Sequence, residues 1–130
     1  MTDRYSSGGP YEERYGYARA VRAGDWVVTA GCTSIIDGSV TGAGDPRAQT
    51  LTAFRIALDA LAEVGATIGD VVRTRMYVTD RAHAEAVGRA HGELFGSVRP
   101  AATMVIVAGL IHPDMLVEVE AEAYLPGVAA

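Results

Sequence analysis

Residues 116–125, Leu-Val-Glu-Val-Glu-Ala-Glu-Ala-Tyr-Leu, alternate so strictly that they admit one regular conformation, an extended strand. A period of two places Val117, Val119, Ala121 and Ala123 on one face and Glu118, Glu120 and Glu122 on the other. On a helix the same residues would scatter around the whole circumference. A sheet that contains this strand is covered on one face and polar on the other. The chain is therefore read as an α+β protein with its helices stacked on a single side of the sheet.

The other elements follow from local signals. Tyr17 to Arg22 and Trp26 to Gly31 are β-leaning runs around Ala23-Gly24-Asp25, a hairpin turn. Ile36-Asp37-Gly38-Ser39-Val40 holds an Asp-Gly turn between apolar residues, and a Gly-rich loop follows. Asp45 then Pro46 reads as an N-cap with proline in the first turn, and Gly65 as the stop. Between them Leu51, Phe54, Leu58 and Leu61 recur at helical spacing. Val71 to Thr79 alternates again, with Val72, Thr74, Met76 and Val78 on one face and Arg73, Arg75 and Tyr77 on the other. Asp80 caps a second helix through Phe95, its core side Val87, Ala90, Leu94 and Phe95, before Gly96 ends it and Pro100 breaks the chain. Thr103 to Ala108 is the strand before the last. The order is ββαβαββ in one domain over residues 1–130, with residues 1–16 read as an N-terminal arm or loop. The sheet face that carries Arg73, Arg75 and the three glutamates suits a subunit interface or the wall of a cleft.

A chain of 130 residues builds one core and is too short for two. Its formal charge of −5 comes from scattered acidic residues, and no Lys or Arg run offers phosphates a basic stripe, so nucleic acid is not an expected partner. Cys32, the single cysteine, has no internal disulfide partner, which points to a reducing, cytoplasmic setting. The N-terminus lacks an apolar targeting core, and no apolar run approaches the roughly 20 residues that span a bilayer. Neither export nor a membrane segment is expected.

Several stretches in register resemble the RidA (YjgF) family and together cover nearly the whole chain. They are Gly16-Tyr17 with Ala20-Val21-Arg22-Ala23-Gly24-Asp25, Ala30-Gly31, Gln49-Thr50, Gly69-Asp70-Val71-Val72-Arg73-Thr74 with Tyr77-Val78-Thr79-Asp80, Arg99-Pro100-Ala101, and Val117-Glu118-Val119-Glu120-Ala121. The resemblance implies a chorismate-mutase-like fold, two helices on one face of a mixed sheet, assembled as a homotrimer with small-molecule clefts between subunits. It implies hydrolysis of reactive enamine and imine intermediates, released by pyridoxal-phosphate enzymes, to a 2-keto acid and ammonia, without metal or cofactor. In deaminating members an arginine after the Pro-Ala pair holds the substrate carboxylate; here Arg99-Pro100-Ala101-Ala102-Thr103 places Ala102 there. The family's cysteine two positions later is Met104, and its glutamine after Ala30-Gly31 is Cys32. The chain thus resembles an arginine-lacking subgroup, whose alternative role is a non-catalytic, ligand-binding or regulatory trimer. The older label of translation-inhibiting ribonuclease fits this acidic chain least.

The resemblance makes Glu118 the candidate for placing an attacking water, and Tyr17 a catalytic cleft residue. Gly31, Cys32, Ala102, Thr103, Met104, Glu120 and Arg75 are the candidate substrate contacts. Each has a plainer role. Glu118 and Glu120 can pair with Arg73 or Arg75, Tyr17 can fill an interface, Gly31 can be an ordinary strand end, and Cys32 a small buried filler. Arg19 and Arg75 are the arginines that can take over anion binding, although Arg75 has glutamate neighbours and Arg19 can point to solvent. His83, His91 and His112 lack metal-ligand spacing, so no metal is expected.

Overall fold

The computed structural model describes residues 2–126. Strands β1 (Thr2–Tyr5), β2 (Ala20–Ala23), β3 (Trp26–Thr29), β6 (Val71–Val78), β7 (Ala101–Ile106) and β8 (Val117–Tyr124) form one sheet in the order β1-β2-β3-β8-β6-β7. All neighbours are antiparallel except β6 and β7, which run parallel and are joined through helix α3 (Ala84–Phe95). Helix α2 (Pro46–Glu63) lies beside α3 and packs on β8 and β3. The ββαβαββ core is thus present, with β1 added at the edge, one helical turn α1 (Glu12–Tyr15), a small hairpin of β4 (Ile35–Ile36) and β5 (Ser39–Val40), and two 3-10 turns at Ile68–Asp70 and Arg81–His83.

The alternation of β8 is realised residue by residue. Val117, Val119, Ala121 and Ala123 are buried under the helices, while the glutamates between them line the opposite face. Phe54 and Phe95 meet edge to face at 5.1 Å between the two helices, beside Leu61 and Val87. The buried face of α2 is not the leucine stripe, however. It is Gln49, Thr50, Ala53, Phe54, Ala57, Ala60 and Leu61, with Leu51 and Leu58 only partly covered. Alanines let the helix axis approach the sheet closely, so small residues occupy the tightest part of the contact.

Two local features differ from the sequence reading. A bulge between Val71 and Arg73 turns Val71 inward and leaves Val72 41% exposed, so Val72 does not share the buried face of Thr74, Met76 and Val78. Residues 2–15 are not a loop throughout: β1 pairs with β2 from Thr2↔Ala23 to Tyr5↔Ala20, and the α1 turn folds back afterwards. The Asp-Gly signal is met in full. Asp37 and Gly38 both have positive φ (51° and 80°), as a two-residue turn between Ile36 and Ser39 requires.

Candidate functional site

The site starts from a glycine. After β3 the chain passes through Ala30 and Gly31, and Cys32 pairs its backbone with Val119 of β8. Gly31 is thereby laid against Glu118, its neighbour on the polar side of that strand. A Cβ at position 31 would overlap Glu118 Oε2 and stand 2.9 Å from its Cδ, so the carboxylate occupies the space that glycine leaves. Gly31→Ala is expected to change thermal stability little, by about 1 kcal/mol or less, because a flexible carboxylate can swing away. It should nonetheless abolish any ligand affinity that depends on Glu118, a split that calorimetry and titration on one sample would show.

Glu118 is half-buried and accepts no hydrogen bond among the described residues. Burial pushes its carboxyl above the usual carboxylate range, the Glu120 charge adds to the effect, and Arg19 opposes it. A carboxylate that holds its proton more tightly than usual is a competent general base near neutral pH.

Arg19 is where the structure departs most from the sequence reading. Its side chain is 12% exposed and does not point to solvent. Its backbone bridges Tyr5 and Ala30, N–H to the Tyr5 carbonyl at 2.8 Å and carbonyl from Ala30 N–H at 2.8 Å, which aims the guanidinium inward. There Nε donates to Glu12 Oε2 at 3.2 Å, Nη1 to the Gly31 carbonyl at 2.6 Å, and Nη2 to the Tyr17 hydroxyl at 3.4 Å. Glu12 is itself buried; burial works against its charge, yet the Ser7 hydroxyl and N–H and the Arg19 guanidinium hold its carboxyl below the ordinary range. No sequence pattern signals this pair. The one available hint was a glutamate in a stretch otherwise read as an arm.

These groups form the polar end of a cavity of about 520 Å³. Tyr17, Arg19, Gly31 and Glu118 face it from the strands, and Ser7, Pro10, Tyr11 and Tyr15 from the N-terminal segment. Ile35, Ile56, Ile111 and Met115 supply an apolar side. Tyr11 and Tyr15 stack at 5.7 Å on one flank of α1, which makes the segment before β2 an aromatic wall of the cavity.

Within one chain the cavity therefore gathers three of the candidate residues, Tyr17, Gly31 and Glu118. Cys32 lies behind the wall, buried, its thiol pushed up by burial and turned to the Ala30 carbonyl at 3.4 Å. That environment disfavours a thiolate. Arg75 and Glu120 stand on the sheet face outside the cavity. Arg75 reaches Glu122 at 2.6 Å and Glu120 at 3.8 Å, and Tyr77 donates to Glu120 at 2.8 Å. Ala102, Thr103 and Met104 belong to β7, at the far edge of the sheet. Ala101, Ala102, Thr103, Val105 and Ile106 are all exposed there. No group of three or more His, Cys, Asp or Glu side chains able to hold a metal occurs among the described residues.

A profile of the family described as Endoribonuclease L-PSP matches residues 11–125. An uncharacterized protein of Streptomyces coelicolor is 50% identical over 121 residues, which cover 93% of this chain and 90% of that one. A RutC family protein of Pyrococcus abyssi is 32% identical, over 83% of this chain and 85% of its own. The crystal structure of a Mycobacterium tuberculosis member of the YjgF/YER057c/UK114 family superposes with a TM-score of 0.87 at 46% identity, covering 96% of this chain and 100% of that one. The chain belongs to the RidA (YjgF) family. The mixed sheet with two main helices is the chorismate-mutase-like fold of RidA proteins. Seen as a RidA protein, the chain keeps the tyrosine, glycine and glutamate of the resemblance in one cavity, and adds an arginine at position 19 to the same wall. No described helix is long and apolar enough to cross a membrane.

Proposed function

We propose that the protein hydrolyses small imines, enamines or related unsaturated metabolites, using a water placed by Glu118. The observation that carries this reading is the Glu118 carboxylate, proton-hungry, unpaired among the described residues and facing a cavity. Water oxygen attacks the carbon of the C=N bond while Glu118 takes a water proton. Glu118 returns that proton to nitrogen, giving the carbinolamine; it then takes the carbinolamine hydroxyl proton and passes it to nitrogen as the C–N bond breaks, and a carbonyl compound and ammonia leave. Tyr17 accepts from Arg19, so its own hydroxyl hydrogen is available to a ligand.

Ammonia release decides between this reading and a ligand-binding trimer, the role favoured by the missing arginine at position 102. The assay supplies either 2-iminopropionate, generated by a dehydratase, or an uncharged N–H imine such as benzophenone imine. Acceleration above the spontaneous rate is expected for the uncharged imine, with 2-iminopropionate the poorer substrate. No acceleration of either removes the hydrolase reading. The ribonuclease activity in the family's description is not extended to this chain, whose 16 acidic against 11 basic residues offer phosphates no basic stripe.

A homotrimer belongs to the same proposal. The β7 edge, exposed on both faces at Val105 (41%) and Ile106 (43%), is an unused surface of the kind that a neighbouring subunit covers. Light scattering is expected to give about three times the 13.6 kDa chain mass, and a monomer would remove the intersubunit cleft.

A further inference from the structure

We infer that the ligand of this cavity is a neutral or cationic nitrogen compound with a bulky apolar body, and not a small carboxylate. The inference rests on the reading of the cavity as the functional site, and it names the class of molecule that site accepts.

The charged groups of one chain at the cavity are Arg19 and Glu118 on its wall and Glu12 beneath. Arg19 is the cation that could hold a carboxylate, but four of its five N–H groups are engaged within the protein. Nε donates to Glu12, Nη1 to the Gly31 carbonyl and the Cys32 sulfur, and Nη2 to Tyr17, which leaves one Nη2 hydrogen. Glu12 cancels the charge of Arg19 at 3.2 Å with both side chains largely buried, so a ligand carboxylate would have to displace a protein carboxylate to gain the same contact. What remains facing the cavity is Glu118, negative or neutral according to its protonation, and never positive. On the β7 edge that the proposed trimer gives to a neighbour, Ala101, Ala102 and Thr103 are uncharged, and the one cation against them is Arg73, its Nη1 3.5 Å from the Thr103 hydroxyl. An anion entering the cavity of one chain is desolvated without an uncompensated cation on the wall to receive it. An iminium or amidinium can bond to Glu118, and a neutral imine or amide can do so when Glu118 is protonated.

The size of the cavity favours the same class of ligand. A cavity of about 520 Å³ is in the range of sites for drug-sized ligands and is much larger than a three-carbon imino acid needs. Tyr11, Tyr15, Ile56, Ile111 and Met115 make most of that space apolar. Tyr15 (66%) and Ile111 (78%) are strongly exposed in the single chain, apolar surface that an aromatic or branched ligand body would cover.

Three probes of one shape isolate the charge: benzamidine (cation), benzamide (neutral) and benzoate (anion), titrated calorimetrically into the intact protein at about pH 8. Benzamidine is expected to bind at least about tenfold more tightly than benzoate, with benzamide between them. In Glu118→Gln the benzamidine advantage should shrink to about threefold or less. In Glu12→Gln, which releases Arg19, benzoate affinity should rise at least about fivefold. Benzoate binding as tightly as benzamidine to the wild type overturns the inference. So does an advantage unchanged in Glu118→Gln, which would place the probe elsewhere. If Glu12→Gln fails to fold, the wild type and Glu118→Gln still decide. The hydrolase reading is judged separately by ammonia release. The predicted charge order without turnover sinks the hydrolase and keeps the ligand class, and Glu118-dependent turnover with benzoate preferred does the reverse.

Discussion

Glu118→Gln should lower imine turnover by about 100- to 10,000-fold, the usual loss when a positioned base is removed, while making the protein harder to melt at about pH 8. The two effects share one cause. Burial and the Glu120 charge raise the carboxyl's affinity for a proton in the folded state. Above its folded titration point the ionised group therefore destabilises the fold, and the penalty fades as pH falls through that point. Glutamine carries no such penalty at any pH. Melting curves of the two proteins are thus expected to differ most at high pH and to converge as the solution is acidified through the region above the ordinary carboxylate range. A variant less stable than the wild type at pH 8 would mean that Glu118 is held by an ion pair, the plain role set beside its catalytic one.

The largest loss of stability is expected at Gln49→Leu. Gln49 is fully buried in the first turn of α2, where an apolar residue would be the usual choice. Its amide nitrogen donates to the carbonyls of Asp114 at 2.8 Å and Gly42 at 3.2 Å, and its oxygen accepts from Leu116 N–H at 2.8 Å. One side chain thus ties the helix to the loop before it and to the loop that leads into β8. Leucine fills the space but strands the Leu116 N–H and the Asp114 carbonyl. The cost is about 1 to 3 kcal/mol for each stranded group that water does not reach, and the melting temperature should fall on the order of 10 °C. Scanning calorimetry measures it. Because Ile111 and Met115 belong to the released loop, probe affinity should drop as well.

The legible parts of this chain were those decided within a few residues. The β8 alternation, the Asp45-Pro46 start of α2, and the Asp37-Gly38 turn are each written in adjacent positions, and each appears where those residues require it. What escaped was decided by partners distant in sequence. Val72 alternates faultlessly as text, and the bulge that turns it outward exists only in the pairing of β6 with β8. The alanine face of α2 was overshadowed by its leucines, because an apolar stripe is recognised by its large residues whereas close packing on a sheet selects small ones. In the site, Glu118 and Tyr17 stood out through the family resemblance. Arg19 was legible only as a candidate anion binder and not as a buried, paired residue, since a lone arginine on a first strand is ordinarily solvated, and its buried partner Glu12 sits in a segment without periodicity.

The Glu12–Arg19 contact also makes the N-terminal segment part of the site's chemistry. The elements before β2 supply the Tyr11 and Tyr15 wall of the cavity and the carboxylate that neutralises Arg19, while α2, α3 and every strand but β1 lie after them. The segment that adds least to the core thus decides what sign of charge the cavity wall shows to a ligand.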